Sequence, residues 1–176
     1  ISTIANWIDE GATENSMPDN EEVYISDAQV NAGESVDIDI SLSNENIIGG
    51  FQFQIIDWPD QGHFLDVQIT DRTSAFTVSF NEQNDGSVII VGFDLTGAGL
   101  DVGEGSILSL TYQSTGIYTT NIELSLNEDT SVLSDSFGGM LPFTVDNGFI
   151  QVSGEDPPPI IPISNLSAVV VCFNPK

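Results

Sequence analysis

The stretch Val36-Asp37-Ile38-Asp39-Ile40-Ser41-Leu42 alternates strictly between apolar and polar residues. Successive side chains of a strand point to opposite faces, so a run of this period buries one face and wets the other only as a β-strand. Phe51-Gln52-Phe53-Gln54-Ile55 repeats the pattern. A helix would need apolar residues three and four apart, and the body of the chain offers no such spacing.

From Val23 the period stays at two, and nine runs read as strands: Val23 to Val30, Ser35 to Leu42, Gly50 to Ile56, Phe64 to Thr70, Phe76 to Phe80, Ser87 to Phe93, Ser106 to Tyr112, Thr119 to Leu126 and Gly148 to Val152. Asn31-Ala32-Gly33, Asn84-Asp85-Gly86, Gly97-Ala98-Gly99 and Gly138-Gly139 supply turns between them. About nine short strands with no helix between them predict an all-β fold, an antiparallel sandwich or jelly roll of two packed sheets.

The flanks differ from this body. Ile1, Ile4, Ala5 and Ile8 fall at helical spacing before Gly11, which predicts a short N-terminal helix, and the polar Thr13 to Glu22 reads as a linker. Glu155 to Ile163 holds Pro157, Pro158, Pro159 and Pro162, the composition of a stiff polyproline spacer of about 3.1 Å per residue. After it, Leu166, Ala168, Val169, Val170, Val171, Cys172 and Phe173 form a strand-like run with apolar residues on both faces. The expected organisation is a helix and linker over 1–22, a sandwich over 23–153, a Pro-rich linker over 154–165 and a donor-type strand over 166–176.

Charge narrows the partners. The chain carries 27 Asp and Glu against two Lys and Arg, for a formal charge of −25. Such a surface repels nucleic acid and anionic lipid, which need cationic side chains to displace their counterions. It suits a soluble acidic coat, as on a secreted or cell-surface protein. Calcium is compatible with so many carboxylates, but no Asp-x-[Asn/Asp]-x-[Asn/Asp]-Gly loop places a site, so no cofactor is assigned. No run reaches the roughly 20 apolar residues of a membrane helix.

Catalytic groups are scarce. His63 is the sole histidine and Cys172 the sole cysteine, too few for a zinc site and unsuited to a nucleophile inside an apolar strand of an acidic protein. His63, in Asp-Gln-Gly-His-Phe, reads as a surface or packing residue. Carboxylate pairs carry no information when 27 acids are present. The expectation is a protein that is not an enzyme.

Ala32-Gly33-Glu34-Ser35-Val36-Asp37-Ile38-Asp39-Ile40-Ser41-Leu42-Ser43-Asn44, then Ile48-Gly49-Gly50-Phe51-Gln52-Phe53-Gln54-Ile55, resembles the opening strands of cohesin-like modules. Val91-Gly92-Phe93, Gly105-Ser106-Ile107-Leu108, Leu133-Ser134-Asp135 and Asn147-Gly148-Phe149-Ile150-Gln151-Val152 fit the same family, over roughly Val23 to Val152. The resemblance implies a jelly roll of secreted bacterial scaffold and surface proteins, related to a class of carbohydrate-binding modules. Ile-Ser-Thr-Ile-Ala-Asn-Trp-Ile-Asp-Glu-Gly at residues 1–11 is similar to the helix after a calcium loop in dockerin-type repeats, without the loop.

Two functions follow as expectations. In the first, the chain is an extracellular filament or surface-assembly subunit whose partners are copies of itself, joined head to tail by inserting Leu166 to Phe173 into a neighbouring sandwich. The alternative is a cohesin-like or carbohydrate-binding recognition module. For glycan contact, Trp7, Trp58, Tyr24, Tyr112 and Tyr118 are the aromatic candidates, with Trp58 favoured because Trp58-Pro59 suggests a loop beyond a strand. Asn165-Leu166-Ser167 is the one glycosylation sequon, placing a candidate sugar on Asn165.

Overall fold

The computed structural model describes residues 21–156. Trp7, the expected N-terminal helix, the linker prolines Pro157, Pro158, Pro159 and Pro162, Asn165 and the strand from Leu166 to Phe173 lie outside the described residues.

Within them the chain forms thirteen strands: β1 (Glu21–Ile25), β2 (Ala28–Asn31), β3 (Ser35–Asn44), β4 (Ile48–Trp58), β5 (Gly62–Ile69), β6 (Phe76–Glu82), β7 (Val88–Asp94), β8 (Gly103–Ser114), β9 (Thr120–Leu126), β10 (Val132–Asp135), β11 (Met140–Leu141), β12 (Phe143–Asp146) and β13 (Gly148–Ser153). One sheet runs β12-β1-β3-β8-β5; the other runs β11-β10-β4-β9-β13-β2, with β7 on the far edge of β4 and β6 outside β7. No helix interrupts them. The two sheets pack face to face as a sandwich.

Each of the nine expected strands is present, and the extra ones have local causes. Val23 to Val30 is two strands, because the chain crosses from one sheet to the other at Ser26-Asp27. Strands β10, β11 and β12 span two to four residues each, too short to display a period. Strand β1 starts at Glu21, inside the stretch expected to be linker. Glu21 is buried, and its carboxylate accepts the backbone N–H of Glu45 at 2.8 Å and of Asn46 at 3.2 Å, which closes the β3–β4 turn.

The sheets are antiparallel except at two seams. β1 pairs with β12, and β13 with β2, in parallel. Alternation reports which face a residue takes and says nothing about strand direction, so this was invisible in the sequence.

The inward positions of both sheets meet in one core. Ile38, Ile40 and Leu42 of β3, Phe53 and Ile55 of β4, Ile90 of β7, Leu110 and Tyr112 of β8 and Ile122 of β9 are buried there, each apolar side chain contributing about 1.5–3 kcal/mol. Phe51 stacks on Phe53 and on Phe76, at centroid distances of 4.9 and 5.9 Å. Gly92 of β7 lies under the Phe51 ring, which occupies the space a Cβ would need.

Candidate functional site

The outer faces of the two sheets are chemically opposite. On the β12-β1-β3-β8-β5 sheet, Glu22, Asp37, Asp39, Asp66, Glu104 and Asp146 point to solvent. Thr111 donates its hydroxyl to Asp37 at 2.7 Å, and Tyr24 donates to Glu22. That hydrogen bond, with the surrounding carboxylates, pushes the Tyr24 phenol up to about 12.

The outer face of β6-β7-β4-β10 carries no charge. Strand β7 presents Ile89, Val91 and Phe93; β6 opposes them with Asn81, Ser79 and Thr77, and β4 with Gln54, Gln52 and Gly50. Val132 and Ser134 of β10 extend the row past Gln52 and Gly50. An apolar stripe one strand wide thus lies between neutral polar borders. At its end stand the exposed Leu95, Phe137 and Met140, Phe137 at 97 % exposure in the β10–β11 turn. A contiguous apolar surface on a protein of charge −25 is the pattern of an interaction site. The sequence reading missed it, although Val88-Ile89-Ile90-Val91 held the signal: both faces of that run are apolar while one of them faces water.

Continuing across the same sheet, β4 pairs with β9 and β9 with β13. Trp58 is the last residue of β4 rather than part of a loop, its indole points outward at 73 % exposure, and a cis peptide to Pro59 follows. Its cross-strand partner is Glu123, whose partner on the far side is Phe149.

The other candidates divide. Tyr112 cannot reach a ligand: it is fully buried, because it faces the interior near the C-terminal end of the long strand β8. Its hydroxyl donates to Asp57 at 2.6 Å. Tyr24 is half-buried on the acidic face, and Tyr118 is exposed beside the β9 entrance, bridged to Glu155. His63 sits on strand β5, outside any loop, exposed and 3.2 Å from Glu82. Trp7 lies outside the described residues. Among the described residues no group of three or more His, Cys, Asp or Glu is placed to hold a metal ion, and no helix is long and apolar enough to cross a membrane.

No family model matches the sequence, and no curated protein matches it. Solved structures do match, cohesins among them. A cohesin of Clostridium acetobutylicum, determined in solution, is 20 % identical with a TM-score of 0.66, the match covering 78 % of this chain and 94 % of that one. The sixth cohesin of scaffoldin B from Acetivibrio cellulolyticus, solved in complex with a dockerin, is 20 % identical with a TM-score of 0.64, covering 76 % and 99 %. A non-cellulosomal cohesin of the archaeon Archaeoglobus fulgidus is 16 % identical with a TM-score of 0.65, covering 77 % and 92 %. Thirteen strands in two mixed sheets, superposing over nearly the full length of such modules, give residues 21–156 the cohesin jelly-roll fold.

Proposed function

We propose that this chain is a non-enzymatic recognition module of an extracellular or cell-surface scaffold, and that it takes a protein partner on the outer face of β6-β7-β4-β10. One observation carries the reading: a neutral surface with the stripe Ile89, Val91 and Phe93 on a chain whose opposite face is crowded with carboxylates. A flat sheet face of this kind suits a preformed apolar ridge, such as one side of a helix, which buries the stripe while Gln52, Ser79 and Asn81 offer hydrogen bonds at its borders. The scaffoldin B cohesin of Acetivibrio cellulolyticus was solved with a dockerin bound, which makes a dockerin-type module the first partner to test.

The likeness to cohesins supports this recognition reading over head-to-tail polymerisation through Leu166 to Phe173, which rests on residues outside the described ones. The division into sandwich, spacer and terminal strand remains part of the proposal.

The test is calorimetry of the intact chain against a panel of dockerin modules. Binding is expected to weaken at least 100-fold in Val91→Glu and to persist in Asp37→Asn on the opposite face. Absence of binding across the panel, or undiminished binding by Val91→Glu, overturns the proposal.

A further inference from the structure

A second surface on the same sheet has different chemistry. Trp58, Glu123 and Phe149 form one row across β4, β9 and β13, each directly opposite the next in the register. Neighbouring strands lie about 4.8 Å apart, so the two aromatic side chains rise about 10 Å from each other with a carboxylate between them. Trp58 is 73 % exposed and Phe149 49 %. The next outward row, two residues along, is Asn121, Gln151 and Gln29 on β9, β13 and β2. Asn121, Glu123, Gln151 and Gln29 make no side-chain hydrogen bond among the described residues, so their donors and acceptors are free for a ligand. A shallow depression lined by Asp27, Gln29, Phe149 and Gln151 runs beside the row.

Both aromatic positions are held in place. Asp57, the residue before Trp58, is locked to Tyr112 in the interior, and the backbone N–H of Phe149 donates to Asp27 at 2.9 Å. Rigid aromatic faces flanked by amides and a carboxylate suit a ligand with apolar ring faces and equatorial hydroxyls: C–H groups lie on the indole and phenyl, and hydroxyls donate to Glu123 and exchange hydrogen bonds with the amides. The spacing of the aromatics is close to the disaccharide repeat of an extended β-linked chain, so alternate rings would stack while the ring between them meets Glu123. The net charge of −25 excludes acidic polysaccharides and nucleic acids, whose bases could also stack.

We infer that Trp58, Glu123 and Phe149, with Asn121, Gln151 and Gln29, form a binding site for a neutral, β-linked polysaccharide. The site is separate from the apolar stripe on β7 and independent of the protein-binding proposal.

Affinity electrophoresis of the intact chain in gels containing hydroxyethylcellulose, mixed-linkage β-glucan, glucomannan or arabinoxylan tests it, with polygalacturonate as the anionic control. Retardation is expected in at least one neutral polymer and not in polygalacturonate. Trp58→Ala abolishes it, Phe149→Ala weakens it at least tenfold, and Val91→Glu leaves it unchanged. In a Trp7→Phe background, the emission of Trp58 shifts to shorter wavelength when the retarding polymer is added. Trp58 and Phe149 face solvent, so both variants keep the wild-type circular dichroism and melting temperature. No retardation by any neutral polymer, or retardation that survives Trp58→Ala, overturns the inference, whatever the outcome with dockerins.

Discussion

Tyr112 of β8 donates its hydroxyl to Asp57 Oδ2 of β4 at 2.6 Å, joining the two sheets through the interior of the sandwich. Burial pushes the Asp57 carboxyl above its ordinary range, and the hydrogen bond from Tyr112 pulls it partly back. The Tyr112 hydroxyl is itself raised, by burial first and then by the bond to Asp57. Tyr112→Phe should therefore cost about 1–3 kcal/mol, because Asp57 is left with only the N–H of Gln61, 3.4 Å away. Chemical denaturation at pH 7 measures the loss.

The same pair sets a pH dependence. A carboxyl whose folded pKa exceeds its unfolded value, about 4, stabilises the fold fully below pH 4, and that contribution is lost as pH rises through the folded pKa. Asp85 and Asp94 act oppositely: hydrogen bonds from Ser87 and from the Gly99 and Thr96 backbone hold them low, so their contribution disappears as pH falls below about 4. The melting temperature of the wild type is expected to fall from pH 4 to 7 more steeply than that of Asp57→Asn. Self-repulsion among the surface acids affects both proteins alike. Parallel slopes in calorimetric scans would contradict the assignment.

Gly92→Ala should destabilise by about 1–3 kcal/mol, the usual range for forcing a methyl into a packed core. A Cβ there would stand 2.2 Å from the Phe51 ring, which is pinned by its stacking on Phe53 and Phe76. Phe51→Leu in the Gly92→Ala background makes room and is expected to recover part of the loss, read as a double-mutant cycle in urea.

Arg72 is the sole Lys or Arg among the described residues, yet it pairs with no carboxylate there. Its guanidinium donates to neutral oxygens: the carbonyls of Leu42 (2.7 Å), Gly105 (3.1 Å) and Asp101 (3.2 Å) and the Asn44 side chain (2.7 Å). These acceptors sit where β3, β8 and the β7–β8 connection converge. Arg72→Met is expected to cost about 2–4 kcal/mol, given roughly 1.5–3 kcal/mol for a hydrogen bond to a charged group. Arg72→Lys should recover less than half, since an ammonium lacks the planar fork. Thermal unfolding ranks the three proteins.

Glu21→Ala should loosen the β3–β4 turn. The Glu21 carboxylate holds the Glu45 and Asn46 backbone N–H groups and the Asn46 amide, the last at 2.7 Å. Amide exchange at Glu45 and Asn46 is expected to accelerate well beyond that of the β3 centre, with a global loss of about 1–3 kcal/mol. Unchanged exchange at those two amides would refute the role.

The body of the fold was legible because alternation in Val36 to Leu42 and in Phe51 to Ile55 assigns faces without reference to any distant residue. Glu21 shows the limit: it reads as linker because its partners, Glu45 and Asn46, are distant in sequence, and no local pattern announces them. Phe149 shows another. It reads from sequence as a residue of the closing strand, but its place beside Glu123 and Trp58 depends on a register between β4, β9 and β13 that only the assembled sheet supplies. Tyr112 reads from sequence either as a surface aromatic or as core packing, since a tyrosine's hydroxyl lets it serve equally at a surface or against a buried acid, and the structure places it in the core.

The parallel pairing of β2 with β13 has a mechanical consequence. Tension between Ala28 and Ser153 pulls the second strand backward and the last strand forward along nearly the same line. The rungs Ala28–Ile150, Gln29–Gln151, Val30–Val152 and Asn31–Ser153 are then loaded together in shear instead of being unzipped one at a time. A module tethered at both ends thereby resists stretching at the seam where its second and last strands meet.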